Sequence, residues 1–436
     1  MITLVPCNTR CLNMGDVAML QVAVARLRTL WPWDRICVFT SDPAALLRYC
    51  PEVAPVLLPE APAWCTDRYL GGPLHSWLSE RWSDRLLDLH RAVTCRTPRL
   101  RGSLITLRAA LTGDDLHTYL EFADTIGASR MLVTSGAGGL ADHFRDYTNL
   151  VLLALQTARA RRVPTAMMSH GFGPLTMPDL RAKAAAILPS VDAIAVRETR
   201  ASVPLLASLG VPGDRVMSTG DDAIALAYEA RPAALGCGVG INLRVARSAA
   251  SKDSDVPVVR EGLWRFAQVR PAPLVPLPIA RQRDLDALVI RQLIGQDDAM
   301  GDGRELDTPL KVIHQVGRCR IVVTGAYHAA VFALAQGVPA VCLARSPYFM
   351  DKFLGLADQF GSGCHLVSLD DPDVPARLVD AMEQAWAEAP AGRVPLWQAA
   401  ARQIERGQAA YQHVHALVEH SRVGRVPGRA AEEVTS

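Results

Sequence analysis

Lysine is nearly missing from this chain. It stands only at Lys183, Lys252, Lys311 and Lys352, so almost all of the 46 basic residues are arginine. That restricts Schiff-base chemistry, and the sequence gives no reason to rest a mechanism on an amine. Net charge is missing too: 46 basic residues against 44 acidic ones leave +2, too little for a protein whose work is to neutralise a phosphate backbone. Nucleic acid is excluded as the main partner. Among ten cysteines there is no C-x-x-C, and only Cys7 and Cys11 lie close together, so neither a zinc site nor a disulfide framework is expected. No apolar run reaches the roughly 18 residues of a membrane span. The nearest, 329–343, is broken by Gln336, Gly337 and Pro339. Met1 to Asn8 lack the basic and apolar regions of a secretion signal, so a cytoplasmic protein is expected.

What is present is ordinary globular composition: 436 residues, 50% apolar and 21% charged, enough for two compact domains with real cores. Short apolar runs alternate with helical patterns, which points to α/β architecture with parallel sheets. Strands are expected at 2–6, 36–40, 56–58, 130–134, 165–168 and 193–196, then at 238–243, 274–277, 321–324 and 338–343. After the first strand, Val17, Leu20, Val24, Leu27 and Trp31 recur at helical spacing. Further helices are expected at 285–294, 309–316, 328–336, 348–360, 372–388 and from Trp397 to about His420. Pro-Ala-Ala-Leu-Gly after Arg231 reads as a hinge. The reading is therefore two doubly wound domains, 1–235 and 236–422, followed by a frayed tail at 423–436. Between residues 60 and 115 the alternation gives way to a Trp- and Arg-rich stretch, read as a helical insertion: either a peripheral cap or an acceptor-binding lid.

Four constellations fall at predicted strand ends, where doubly wound sheets bind ligands. Asn13-Met14-Gly15-Asp16 precedes the first helix, with Asp16 the expected cap. Ser135-Gly136-Ala137-Gly138-Gly139 is a turn whose missing Cβ atoms let a ligand approach backbone N–H groups, but it has neither the dinucleotide nor the P-loop spacing. Next come His170-Gly171-Phe172-Gly173-Pro174 and Val196-Arg197-Glu198, with His170 and Arg197 each following a strand. Last, Thr324-Gly325-Ala326-Tyr327-His328 turns a buried strand directly into an apolar helix, leaving His328 at the helix start facing the cleft. For each side chain a packing or pairing role competes with a functional one.

In their order and spacing these motifs resemble the polysaccharide pyruvyl transferases, together with Ser202, Leu209-Gly210, Asp221-Asp222, Asn242-Leu243-Arg244 and Gly337-x-Pro339. The resemblance implies two facing Rossmann-like domains of the GT-B kind and transfer of pyruvate from phosphoenolpyruvate, as a ketal, onto hydroxyls of a sugar-like acceptor. It implies no metal and no cofactor. His328 and His170 are the candidate acid and base, and Arg197 with Arg244 the clamp for carboxylate or phosphate. Asn13, Asp16, Ser135, Gly136, Gly138, Gly139, Gly171, Gly173 and Tyr327 complete the expected binding surface. Two departures stand out: Ala326 occupies a position where the family usually has arginine, and residues 275–279 lack a family histidine. Arg244, Arg281 or Arg283 would then take over the phosphate. The alternatives are a nucleotide-sugar glycosyltransferase of similar fold and an inactive binding homologue.

Overall fold

The computed structural model describes residues 1–60, 62–65, 97, 100, 102–107, 116–136, 138–245, 251–282, 285–295 and 301–423. Most of the expected 60–115 insertion, Ala137, Arg283 and nearly all of the 423–436 tail lie outside the described residues. Two parallel sheets organise the chain. The first contains β1 (Ile2–Val5), β2 (Ile36–Thr40), β3 (Ala54–Leu57), β4 (Met131–Ser135), β5 (Thr165–His170), β6 (Ala193–Val196) and β7 (Val216–Ser218). Their spatial order is β3-β2-β1-β4-β5-β6-β7. Leu4 of β1 lies beside Val38 on one side and Val133 on the other, and β1, β2, β4, β5 and β6 are buried along their whole length. Such strands read as continuous apolar runs because helices cover both faces.

The second sheet contains β8 (Gly238–Asn242), β9 (Leu274–Pro276), β10 (Cys319–Thr324), β11 (Ala340–Ala344) and β12 (Cys364–Ser368), ordered β12-β11-β10-β8-β9. The sequence misses β7 and β12 for the same reason. Each is an outer strand of its sheet, and each is only partly buried, so neither presents a continuous apolar run.

Chain order reverses between β1 and β4 in the first sheet and between β8 and β10 in the second. At such a switch point adjacent loops leave in opposite directions and open a crevice at the carboxyl ends of the strands. The two crevices are joined by main chain. Met14 N–H donates to the Ile279 carbonyl at 2.8 Å and Arg281 N–H to the Leu12 carbonyl at 2.8 Å. Asp286 fixes the second of these loops, accepting from Ile279 N, Ala280 N and Asn242 Nδ2.

The sequence predicts two helices after residue 372; the structure has one, Val374–Val423, which runs through Pro390 and Pro395. Packing overrides the local penalty of proline. Arg393 donates to the carbonyls of Pro232, Ala233 and Ala234, and Trp397 Nε1 donates to the Gln336 carbonyl. Leu378, Met382 and Ala385 enter the core of the second sheet. Farther along, Tyr411 Oη donates to the buried Asp222 at 2.8 Å, beside the ion pair that Asp222 makes with the half-buried Arg26.

Candidate functional site

The loop after β1 ends at Asn13, not Asp16, as the helix cap: Asn13 Oδ1 accepts from Gly15 N at 2.9 Å and Asp16 N at 3.2 Å. Asp16, in the first turn of the helix Met14–Leu30, lines a cavity of about 270 Å3. That cavity collects the loops of both switch points. From the first sheet come Cys7, Asn13, Asp16, Gly138 and Arg197; from the second come Arg244, Tyr327, His328 and Lys352.

His328 is the second residue of the helix Tyr327–Ala335 and lies between two carboxylates. Its Nδ1 is 4.0 Å from Asp16 Oδ1 and its Nε2 is 3.6 Å from Asp221 Oδ2. Gly15 makes this possible. A Cβ at that position would sit 1.9 Å from His328 Cγ, so the imidazole packs directly on the backbone of the first helix. The two carboxyls are driven in opposite directions. Burial pushes Asp16 up from the usual carboxylate range, more than His328, Arg244 and Arg197 hold it down. Burial also opposes the charge on Asp221, but the His328 imidazole beside it, with Arg197, holds it below that range. Carboxyls separated in this way supply distinct proton-holding and charge-holding groups.

Arg197 follows β6 and is 2% exposed. Burial opposes its charge; Tyr327, Asp221, Tyr348 and Glu198 outweigh that and hold the guanidinium above its ordinary value. Its Nη1 donates to Asp221 at 3.2 Å, its guanidinium lies 4.1 Å over the Tyr327 ring, and its buried Nε has no hydrogen-bond partner among the described residues. Lys352 comes from the helix Pro347–Phe360 and reaches the same cavity, donating to Tyr348 Oη. Arg197 and Lys352 also border an adjoining cavity of about 280 Å3, where Gly171, Gly173, Leu205 and Tyr348 are found.

Of the glycines expected to cradle an anion, Gly138 and Gly139 line the His328 cavity, and several also permit close packing. A Cβ on Gly136 would lie 2.1 Å from the Ser169 carbonyl oxygen, on Gly139 2.6 Å from Tyr147, and on Gly171 2.9 Å from Arg197 Nε. Ser135 is buried at the end of β4 and, like Gly136, does not line the cavity. His170 ends β5 at the same edge as Arg197, whose N–H donates to the His170 carbonyl. Yet its ring is fully buried, bonded through Nε2 to Thr134 Oγ1 at 2.7 Å. Burial, then Arg197, depresses that imidazole to about 3. The structure therefore does not bring His170 to the cavity that holds His328. Glu198 accepts from Ala201 N, Ser202 N and Ser202 Oγ, which ties down the turn after Arg197. Of the suggested substitutes for an arginine at 326, Arg244 reaches the cavity, whereas Arg281 donates to the Arg304 carbonyl. Lys352 and Tyr348 were missed in the sequence. Their only signal is a lysine one helical turn after a tyrosine, among Phe349 and Phe353, in a chain where lysine is rare.

A sequence model of one family, polysaccharide pyruvyl transferase, matches residues 13–347. No curated protein sequence matches the chain. Among solved structures it is similar to a Listeria monocytogenes protein assigned as a UDP-N-acetylglucosamine 2-epimerase, with 12% identity over 97% of this chain and 96% of that one, TM-score 0.59. The UDP-GlcNAc 2-epimerase of Neisseria meningitidis, solved with UDP-GlcNAc, gives 12% identity, 97% and 100% coverage and TM-score 0.53. Arabidopsis thaliana UGT89C1, solved with quercetin, gives 10%, 96% and 98%, and 0.53. At such identities the likeness fixes the fold, which is the two-sheet GT-B arrangement.

Proposed function

The chain belongs to the polysaccharide pyruvyl transferase family, and on that premise we propose that it moves pyruvate from phosphoenolpyruvate onto two hydroxyls of a sugar or related acceptor as a ketal. Atoms balance without a redox partner. C2 of the donor loses its bond to the phosphate oxygen and gains two bonds to acceptor oxygens, while the double bond to C3 is replaced by a new C–H bond. Of the two hydroxyl protons released, one ends on C3 and one on the departing phosphate.

Three tasks follow: a proton must be delivered to carbon, protons must be taken from the hydroxyls, and the donor's carboxylate and phosphate must be held. In this reading His328 carries the protons, with Asp221 as the fixed negative partner of Nε2 and Asp16 as the carboxyl whose raised affinity suits it to exchange them. Arg197 and Arg244 bind the donor's anionic groups, for which a guanidinium offers a planar fork. Tyr327, stacked under Arg197, keeps that fork in place.

The observation that carries this reading is a histidine set between two carboxylates in the same cavity as Arg197 and Arg244. Thermal denaturation with phosphoenolpyruvate and, separately, with nucleotide sugars tests it, because a ligand of the native state raises apparent stability. Phosphoenolpyruvate is expected to stabilise the protein and to release phosphate when a suitable acceptor is present. Stabilisation by a nucleotide sugar alone would replace the proposal with the glycosyltransferase alternative.

A further inference from the structure

Arg197 and Lys352 come from different sheets and end beside each other. A Cβ on Gly138 would lie 2.4 Å from Arg197 Nη2 and 2.5 Å from Lys352 Nζ, so the two nitrogens are near neighbours around one glycine. Arg197 has Asp221 as its counter-ion. Among the described residues Lys352 has no carboxylate at ion-pair distance: its hydrogen-bond partner is the neutral Tyr348 Oη, and its ammonium lies 3.7 Å over the Tyr348 ring. Tyr348 in turn donates to the Gly138 carbonyl, which holds the lysine, the tyrosine and the glycine turn as one unit. Burial, then the charges of Arg197 and Arg244, push the Lys352 ammonium well below its ordinary value. A half-buried amine pressed against like charge, lining two cavities, is placed to take up an anion.

We infer that Lys352, oriented by Tyr348, is a ligand for the phosphoryl group of the donor, gripping it against Arg197 from the second sheet. The identity of the donor rests on the reading above; the phosphoryl contact does not, since it follows from the placement of the two cations. An ammonium gives a point charge with several donors, and a guanidinium gives a fork; together they suit a tetrahedral dianion better than a planar carboxylate.

Calorimetric titration of the full chain with inorganic phosphate, phosphoenolpyruvate and UDP tests it, using wild type, K352M, K352R, Y348F and, as a distant control, K311M. Wild type should bind phosphate and phosphoenolpyruvate. K352M should weaken both ten- to a hundredfold, K352R should recover part of the loss, Y348F should give an intermediate loss, and K311M should change nothing. If K352M melts early, K352R and Y348F read the same contact in folded protein. Equal binding of phosphate by wild type and K352M, or no binding of phosphate by wild type, overturns the assignment. Phosphate bound through Lys352 while phosphoenolpyruvate is refused would instead remove the donor and leave the phosphoryl site standing; UDP binding sensitive to K352M would then identify a nucleotide as its source.

Discussion

Replacing His328 with asparagine would leave Asp16 and Asp221 facing a smaller, neutral group. If the imidazole carries protons, turnover should fall by roughly 10²–10⁴-fold with the melting temperature little changed; lost stability with full activity per folded molecule would make the ring a packing element. Gly15→Ala is a sharper probe of the same geometry. Alanine is the better helix former by about 1 kcal/mol, yet its Cβ would sit 1.9 Å from His328 Cγ. The variant should therefore lose activity as the ring is displaced, and normal kcat would show that the ring does not need that place. His170 predicts the reverse pattern. Its folded pKa of about 3 lies below the ordinary 6.5, so the unfolded chain binds the extra proton between those values. Its contribution is complete above pH 6.5 and is lost as pH falls toward 3, by about 2 kcal/mol at pH 5. Urea midpoints at pH 7 and pH 5 should show a smaller loss in His170→Gln than in wild type, with kcat kept. At this scale the sequence points to strand ends that border the cavity but cannot rank their side chains. Asn13 against Asp16, and His328 against His170, differ in direction and burial, which only the assembled sheets determine.

Elements were more legible. Fully buried parallel strands and the first amphipathic helix announce themselves by composition and period, so ten of the twelve strands among the described residues lie near their expected positions. The partly buried edge strands β7 and β12 were not. The helix that crosses Pro390 and Pro395 escaped because its support, Arg393 on three carbonyls near residue 233 and Trp397 on Gln336, is distant in sequence. Also invisible was the joint between the sheets, in which Asp286 accepts from Ile279 N, Ala280 N and Asn242 Nδ2. Asp286→Leu would leave the Ile279 and Ala280 N–H groups buried without an acceptor, at about 1–3 kcal/mol for each one left unsatisfied, while Asn242 Nδ2 keeps the Leu277 carbonyl. The loop that meets Leu12–Met14 should then loosen. The expected result is a clear drop in the denaturant midpoint together with weaker binding of phosphoenolpyruvate, because Ile279 lines the cavity. A variant with unchanged stability would mean that this carboxylate does not set the joint.

The whole molecule separates what holds it together from what it binds. The helix Val374–Val423 supplies Leu378, Met382 and Ala385 to the core of the second sheet, and its far end anchors Tyr411 on Asp222, which follows the first sheet. Neither Tyr411 nor Asp222 borders the cavity of His328. Tyr411→Phe removes one hydrogen bond to a charged, buried partner, which typically costs about 1.5–3 kcal/mol. It should lower the melting temperature and leave ligand binding intact. Arg197→Met should do the opposite to the ligand term. A donor present at a hundred times its Kd raises apparent stability by about 2.7 kcal/mol in any protein that binds it only when folded. In Tyr411→Phe that increment should reappear in full on a lower baseline. In Arg197→Met, where a charge-assisted contact is gone, affinity should drop ten- to a hundredfold, so the increment should shrink to between about 1.4 and about 0.4 kcal/mol at the same ligand concentration. Denaturant melts of wild type and both variants, each with and without phosphoenolpyruvate, give six curves that decide the matter. An undiminished increment in Arg197→Met would take Arg197 out of the clamp, and a lost increment in Tyr411→Phe would mean that the long helix reaches the site through the sheet after all.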